Sequence, residues 1–156
     1  GGPMVPVVKS FETISMAKVA KSAAEAGDLL FMRPGDGVTM NRYRLLADAK
    51  ARVLEMAEGY QPPETQEISL PGKSALAAMK MAVDGFAKRG LATPHDAVVA
   101  GELAVVLSGG DTDVTETLNE DDILRLERRS FRKLIMTSPT VDRIRHMLKT
   151  GKPLRN

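Results

Sequence analysis

The sequence predicts an all-α protein. Apolar residues recur at three- and four-residue steps in segment after segment, and Gly or Pro stands at the borders of those segments. Strand-like alternation is almost absent, with at most one short extended segment near residues 29–40.

The elements follow in order. Pro6 fits a first helical turn, and Val7, Val8, Phe11, Ile14, Ala17 and Lys18 continue a helical stripe. Ser22 caps a short Ala-rich turn that ends at Gly27. The stretch from Leu29 to Met40 holds Pro34, Gly35 and Gly37, which break helix, so it is expected as an extended piece with a turn. From the N-cap Asn41, the positions Leu45, Leu46, Ala49, Val53, Met56 and Ala57 predict a helix with one buried face, stopped at Gly59. Gln61, Pro62 and Pro63 then open a polar connection that lasts to Pro71 and Gly72.

Ser74 caps the next predicted helix, through Leu76, Met79, Met81, Val83 and Phe86 to Gly90. Thr93 and Pro94 are an N-cap with proline at the first helical position, opening a helix through Val98, Val99, Leu103, Val106 and Leu107 that stops at Gly109 and Gly110. These two should form a helical hairpin. Asn119 caps a helix bearing Ile123, Leu124, Leu126, Phe131, Leu134 and Ile135, and Ser138 with Pro139 opens the last, through Val141, Ile144, Met147 and Leu148 to Gly151. About six helices result, the C-terminal half being a small bundle. Three spans are expected: helices over 1–60, a linker over 61–72, and a helical tail domain over 73–156.

Composition narrows the chemistry. The chain has 156 residues, 43 % of them hydrophobic but only 4 % aromatic, and no Cys, which excludes disulfides, thiolate metal sites and thiol nucleophiles. No apolar run reaches the roughly 18–20 residues that cross a bilayer, and no signal peptide is legible, so a cytoplasmic location without membrane contact is expected. With four Phe and two Tyr, the chain is expected to complete its burial against neighbours, as a homo-oligomer. Charge is uneven: the nets over residues 1–60, 61–110, 111–122 and 123–156 are +1, −1, −6 and +8.

Several motifs suggest chemistry and fall short of it. Gly72, Lys73 and Ser74 follow a possible strand, as in a phosphate loop, but the earlier glycine that such a loop needs is Glu67. Asp111, Asp113, Thr115, Asn119 and Asp122 have calcium-loop spacing, yet Glu116 stands where the turn requires Gly and the twelfth position is Asp. His95 and His146 lie on separate helices with no nucleophile motif near them, so no catalytic triad and no metal site is expected. Arg125, Arg128, Arg129 and Arg132 line one side of a helix, and Arg143, Arg145, Lys149, Lys152 and Arg155 follow. Such a face can hold phosphates, or it can be a solvated surface paired with the acidic loop before it. Without interleaved aromatics it suits single-stranded nucleic acid poorly.

The segments AKVAKSAAEAGDLLF and RPGDGVTMNRYRLLADAKARVLEMAEGYQPP resemble the closing part of the hydratase-isomerase (crotonase) domain of fatty-acid β-oxidation enzymes. KRGLATPHDAVVAGELAVVLSGGDTDVTE and the ending SPTVDRIRHMLKTGKPLRN are similar to the C-terminal tail of a subgroup of bacterial 3-hydroxyacyl-CoA dehydrogenases that carry such a domain. The ending GKPLRN is the most specific piece. The resemblance implies a C-terminal fragment of an NAD-dependent 3-hydroxyacyl-CoA dehydrogenase, an oxidoreductase that also has enoyl-CoA hydratase activity.

No strand followed by G-x-G-x-x-G occurs in these 156 residues, and the chain begins at Gly-Gly-Pro without an initiator Met. Catalytic residues are therefore expected outside it, and none within; NAD and acyl-CoA are cofactor and substrate of the parent, not ligands that this chain binds alone. By resemblance its roles are assembly with the remainder of the enzyme and contact with coenzyme A phosphates through Lys149, Lys152 and Arg155. The rival expectation is a free-standing helical interaction module whose basic tail docks an acidic partner or nucleic acid.

Overall fold

Local end signals and apolar periodicity determine where helices start and stop in the computed structural model, which describes residues 2–156. The described residues form seven α-helices: α1 (Met4–Ser15), α2 (Ala23–Asp28), α3 (Leu45–Ala57), α4 (Gly72–Lys88), α5 (Pro94–Ser108), α6 (Glu120–Ile135) and α7 (Ser138–Thr150). A 3-10 turn at Arg42–Arg44 leads into α3, and two-residue strands β1 (Ile68–Ser69) and β2 (Thr117–Leu118) pair antiparallel. The protein is nearly all α, as its sequence predicts. The seventh helix is α2, where the Ser22 hydroxyl accepts from the Glu25 N–H and turns the Ala-rich stretch into a helix of its own.

No strand forms over 29–40. The N–H groups of Leu29, Leu30 and Phe31 bond back to carbonyls of Glu25, Gly27 and Ala26, so they are spent on closing α2. The paired strands lie in the connection before α4 and in the loop before α6, where Ile68 faces Leu118 and Ser69 faces Thr117. Ser74 is likewise not an N-cap. The helix begins two residues earlier, its Lys73 N–H taken at 3.1 Å by the Thr112 carbonyl, and the Ser74 hydroxyl turns back to the Pro71 carbonyl.

Contacts divide the chain into Lys18–Glu64 and a second unit joining Gly1–Ala17 to Thr65–Asn156. In this division α1 belongs with the tail helices, and β1 lies within 61–72. In Lys18–Glu64, Asn41 caps the turn before α3 by accepting from the Tyr43 N–H, and Asp48 anchors that end to Arg44 and Thr39. The predicted apolar stripe of α3 exists, but it is not buried: Leu45, Leu46, Val53 and Met56 are all exposed.

The other unit is built around α5, which packs against α1, α4 and α6, while α7 packs on α6. Because α5 meets helices on several sides, it has no polar stripe over Ala97–Leu107 apart from Glu102. Its core joins Val7 and Phe11 of α1, Ala75, Met79 and Val83 of α4, and Ala104 of α5. Methionine and alanine do here what aromatic mass does in other cores, filling gaps between closely set helices.

Candidate functional site

Two charged assemblies stand on the helical unit. The first begins at the N-terminus of α5, where Thr93 and Asp96 are three residues apart and cap each other. The Thr93 hydroxyl accepts from the Asp96 N–H at 3.1 Å, and the Asp96 carboxylate accepts from the Thr93 N–H at 3.0 Å. That carboxylate also receives Arg143 of α7 at 2.9 Å and Arg155 at 3.3 Å. Arg143 donates in addition to the Asn156 side chain at 2.6 Å and to the Asn156 carbonyl at 3.0 Å, and the Asn156 amide donates to the Pro139 carbonyl. The residues after α7 are thus clasped against the starts of α5 and α7.

Burial alone would raise the Asp96 carboxyl. Hydrogen bonds from Thr93, Arg143 and Arg155 more than reverse that and hold it down at about 2. Beside it, His95 is 7 % exposed and shares a 2.8 Å hydrogen bond between Nε2 and the Thr140 hydroxyl, which also receives the Thr137 hydroxyl. Burial and the Arg143 charge push this imidazole below its usual value. A carboxylate saturated with donors and held at about 2 is a fixed anion rather than a base. The assembly fastens helices together.

The second assembly is the basic face of α6. Arg125 pairs with Asp122 and Lys133 bridges to Glu102 of α5 at 3.0 Å. Arg128, Arg129 and Arg132 have no acidic partner among the described residues. The acidic loop that precedes the helix is largely engaged elsewhere. Asp111 pairs with Lys73 at 3.0 Å, Asp113 accepts from the Thr115 N–H and hydroxyl, and Asp122 forms the capping box with Asn119. So the pairing of acidic loop with basic face shrinks to one contact, Asp122 with Arg125.

Lys149 and Lys152 are exposed at the end of α7, with no ion-pair partner among the described residues, whereas Arg155 is turned to Asp96. The three expected phosphate contacts are therefore not equivalent. His146 is half-buried on α7. The Thr-x-x-Asp spacing is the signal that could have found Asp96; nothing in the sequence signals Thr140 as the partner of His95 or Asn156 as that of Arg143.

Dinucleotide binding needs a strand, a glycine turn and a helix that leave backbone amides open to a pyrophosphate. The join from β1 to α4 does not: Gly72 has φ +65°, a side chain there would collide with the Thr112 carbonyl, and the Lys73 N–H is already bonded to that same oxygen. Among the described residues no group of three or more His, Asp or Glu is placed to hold a metal ion, and no helix is long and apolar enough to cross a membrane.

No protein-family model matches the chain, and no solved structure matches it. A curated relative from Bacillus subtilis (strain 168), described as a "Probable 3-hydroxyacyl-CoA dehydrogenase", is 35 % identical to it over 155 residues. Those residues are 99 % of this chain but 20 % of the relative, so the chain spans about a fifth of the length of the curated relative it matches.

Proposed function

We propose that this chain is the helical, non-catalytic C-terminal part of a fatty-acid β-oxidation enzyme, an NAD-dependent 3-hydroxyacyl-CoA dehydrogenase with enoyl-CoA hydratase activity, working in the cytoplasm. The single observation that carries the reading is the 35 % identity that runs through nearly the whole chain while covering a fifth of a much longer dehydrogenase relative. In the parent, hydride passes from the 3-hydroxyl carbon of an acyl-CoA to NAD on residues outside these 156.

The work left to this chain is assembly. The exposed Leu46, Val53, Leu54 and Met56 of α3 are a surface for the remainder of the enzyme or a second copy. Lys149 and Lys152 contact coenzyme A phosphates; Arg155 already serves Asp96. The purified chain should give no NADH from 3-hydroxyacyl-CoA and NAD, and the upstream reading frame should encode a strand followed by G-x-G-x-x-G. Measurable turnover by the isolated chain overturns the reading.

A further inference from the structure

Helix α6 is held on one side only. Ser130 is buried, and Ile123, Leu126 and Leu134 are half-buried at three- and four-residue steps from it, so the opposite side projects into water. That side carries Arg125, Arg128, Arg129, Arg132 and Lys133. Their spacing sets neighbouring Cβ atoms about 5–6 Å apart, where like charges repel. Arg128, Arg129 and Arg132 have no carboxylate within 4.0 Å among the described residues, so this repulsion is relieved only by an anion from outside.

The cations form two rows, Arg125 with Arg129 and Lys133, and Arg128 with Arg132. Each row steps four residues, a rise of about 6 Å. Successive phosphates of a nucleic-acid strand follow one another at about that interval, whereas phosphates linked to each other stand closer. The surface is open to solvent along the rows, with Ile135 and Met136 at their end, so it has no walls to enclose a small molecule. No aromatic side chain lines it for an unpaired base to stack on, which disfavours a single strand. Four of the five cations are Arg, whose planar fork takes two phosphate oxygens at once. A helix about 10–12 Å across also matches the major groove of B-form DNA, about 12 Å wide, while that of duplex RNA is too narrow for one.

Acidic residues bound the footprint. Glu120, Asp121 and Asp122 occupy the first turn, and Asp121 lies in line with Arg125, four residues on. The anion-binding face is therefore residues 125–133, about 12 Å of helix, enough for about three phosphates of one strand.

We propose that this face of α6 is a docking surface for double-stranded DNA, held through its phosphate backbone without regard to sequence. It is independent of the dehydrogenase reading and uses neither Lys149 nor Lys152.

The test is fluorescence anisotropy of a labelled, mixed-sequence DNA duplex of about 20 base pairs, titrated with the whole chain at several salt concentrations. Micromolar binding is expected at about 50 mM salt, with log affinity falling against log salt at a slope of about −3, one phosphate for each unpaired Arg. The triple variant R128Q/R129Q/R132Q, whose side chains are exposed and whose fold is checked by circular dichroism, should lose at least about tenfold in affinity and most of that slope. K80Q/K88Q, which removes two exposed charges from α4, should bind as the unaltered chain does. Asp121→Asn leaves every cation in place and removes a repelling charge, so it should tighten binding, and it decides the matter if the triple variant fails to fold. Absence of binding, unchanged affinity in the triple variant, equal loss in K80Q/K88Q, no gain in Asp121→Asn, or tighter binding to single-stranded DNA or to phosphatidylglycerol vesicles would each overturn the proposal. The dehydrogenase reading fails separately, on the turnover assay and the upstream sequence.

Discussion

Arg143 and Asp96 meet at 2.9 Å across the gap between α7 and α5, each side chain about three-quarters withdrawn from water, 22 % and 25 % exposed. Asp96 caps its own helix and receives Arg143 and Arg155 at once, so one carboxylate ties two helices and the residues after α7. Replacing it by Ala removes a capping box and strands a partly buried guanidinium. Asp96→Ala should lower unfolding free energy by about 2–3 kcal/mol, while Asp96→Asn, which keeps an oxygen for the Thr93 N–H, should lower it less. Urea denaturation of both variants checks the order.

The same cluster makes the fold acid-sensitive in two steps. His95 is held below its usual value, so it contributes full stability above about pH 6.5, and the contribution declines as the unfolded imidazole takes up protons below that. Asp96 is held at about 2, so its contribution is complete above the ordinary carboxylate range and is lost as pH falls from about 4 toward 2, in total about 2 kcal/mol. Urea midpoints measured from pH 7 to 2 should fall in both windows. His95→Gln should flatten the upper one and Asp96→Asn the lower.

Gly72 and Gly90 offer a controlled comparison. Both adopt positive φ, +65° and +69°, but a side chain at Gly90 would meet open space, whereas one at Gly72 would strike the Thr112 carbonyl. Gly90→Ala should cost about 1 kcal/mol, for the left-handed backbone alone. Gly72→Ala must also push two backbone segments apart and should cost about 3 kcal/mol or more. Thermal denaturation of the pair separates conformational strain from collision.

Ser130 sits in the middle of α6 at 4 % exposure, its hydroxyl without a hydrogen-bond partner among the described residues. A buried, unbonded hydroxyl is a cost, and Ala is the better helix former. Ser130→Ala should stabilise the protein by about 1 kcal/mol, which for a chain of this size is a rise of roughly 2–4 °C in Tm.

The sequence made the helices legible because their borders are chemical. Asn119 and Thr93 cap through their own side chains, and Gly109 and Gly151 close their helices in the left-handed conformation that glycine adopts freely. Ser74 misled because the partner that opens α4 is the Thr112 carbonyl, some forty positions away, and local chemistry carries no trace of it. The apolar stripe of α3 correctly marked a face, but periodicity says which side is apolar and not what covers it. The tail cations differ in a way that composition does not show. Composition cannot distinguish the exposed Lys149 and Lys152 from Arg155, whose charge is spent on Asp96.

Helix α1 reaches its place beside α5 only after the whole of Lys18–Glu64 and α4 have intervened. Closing so long an excursion carries a conformational penalty that grows with the logarithm of its length, so the neighbours α4, α5 and α6 can assemble before α1 arrives. The grip on α1 is Val7 and Phe11 in the shared core. Excising residues 18–64 would therefore convert an intramolecular docking into a bimolecular one: a peptide of residues 2–17 and a chain of residues 65–156 become a complementation pair, whose reunion depends on concentration.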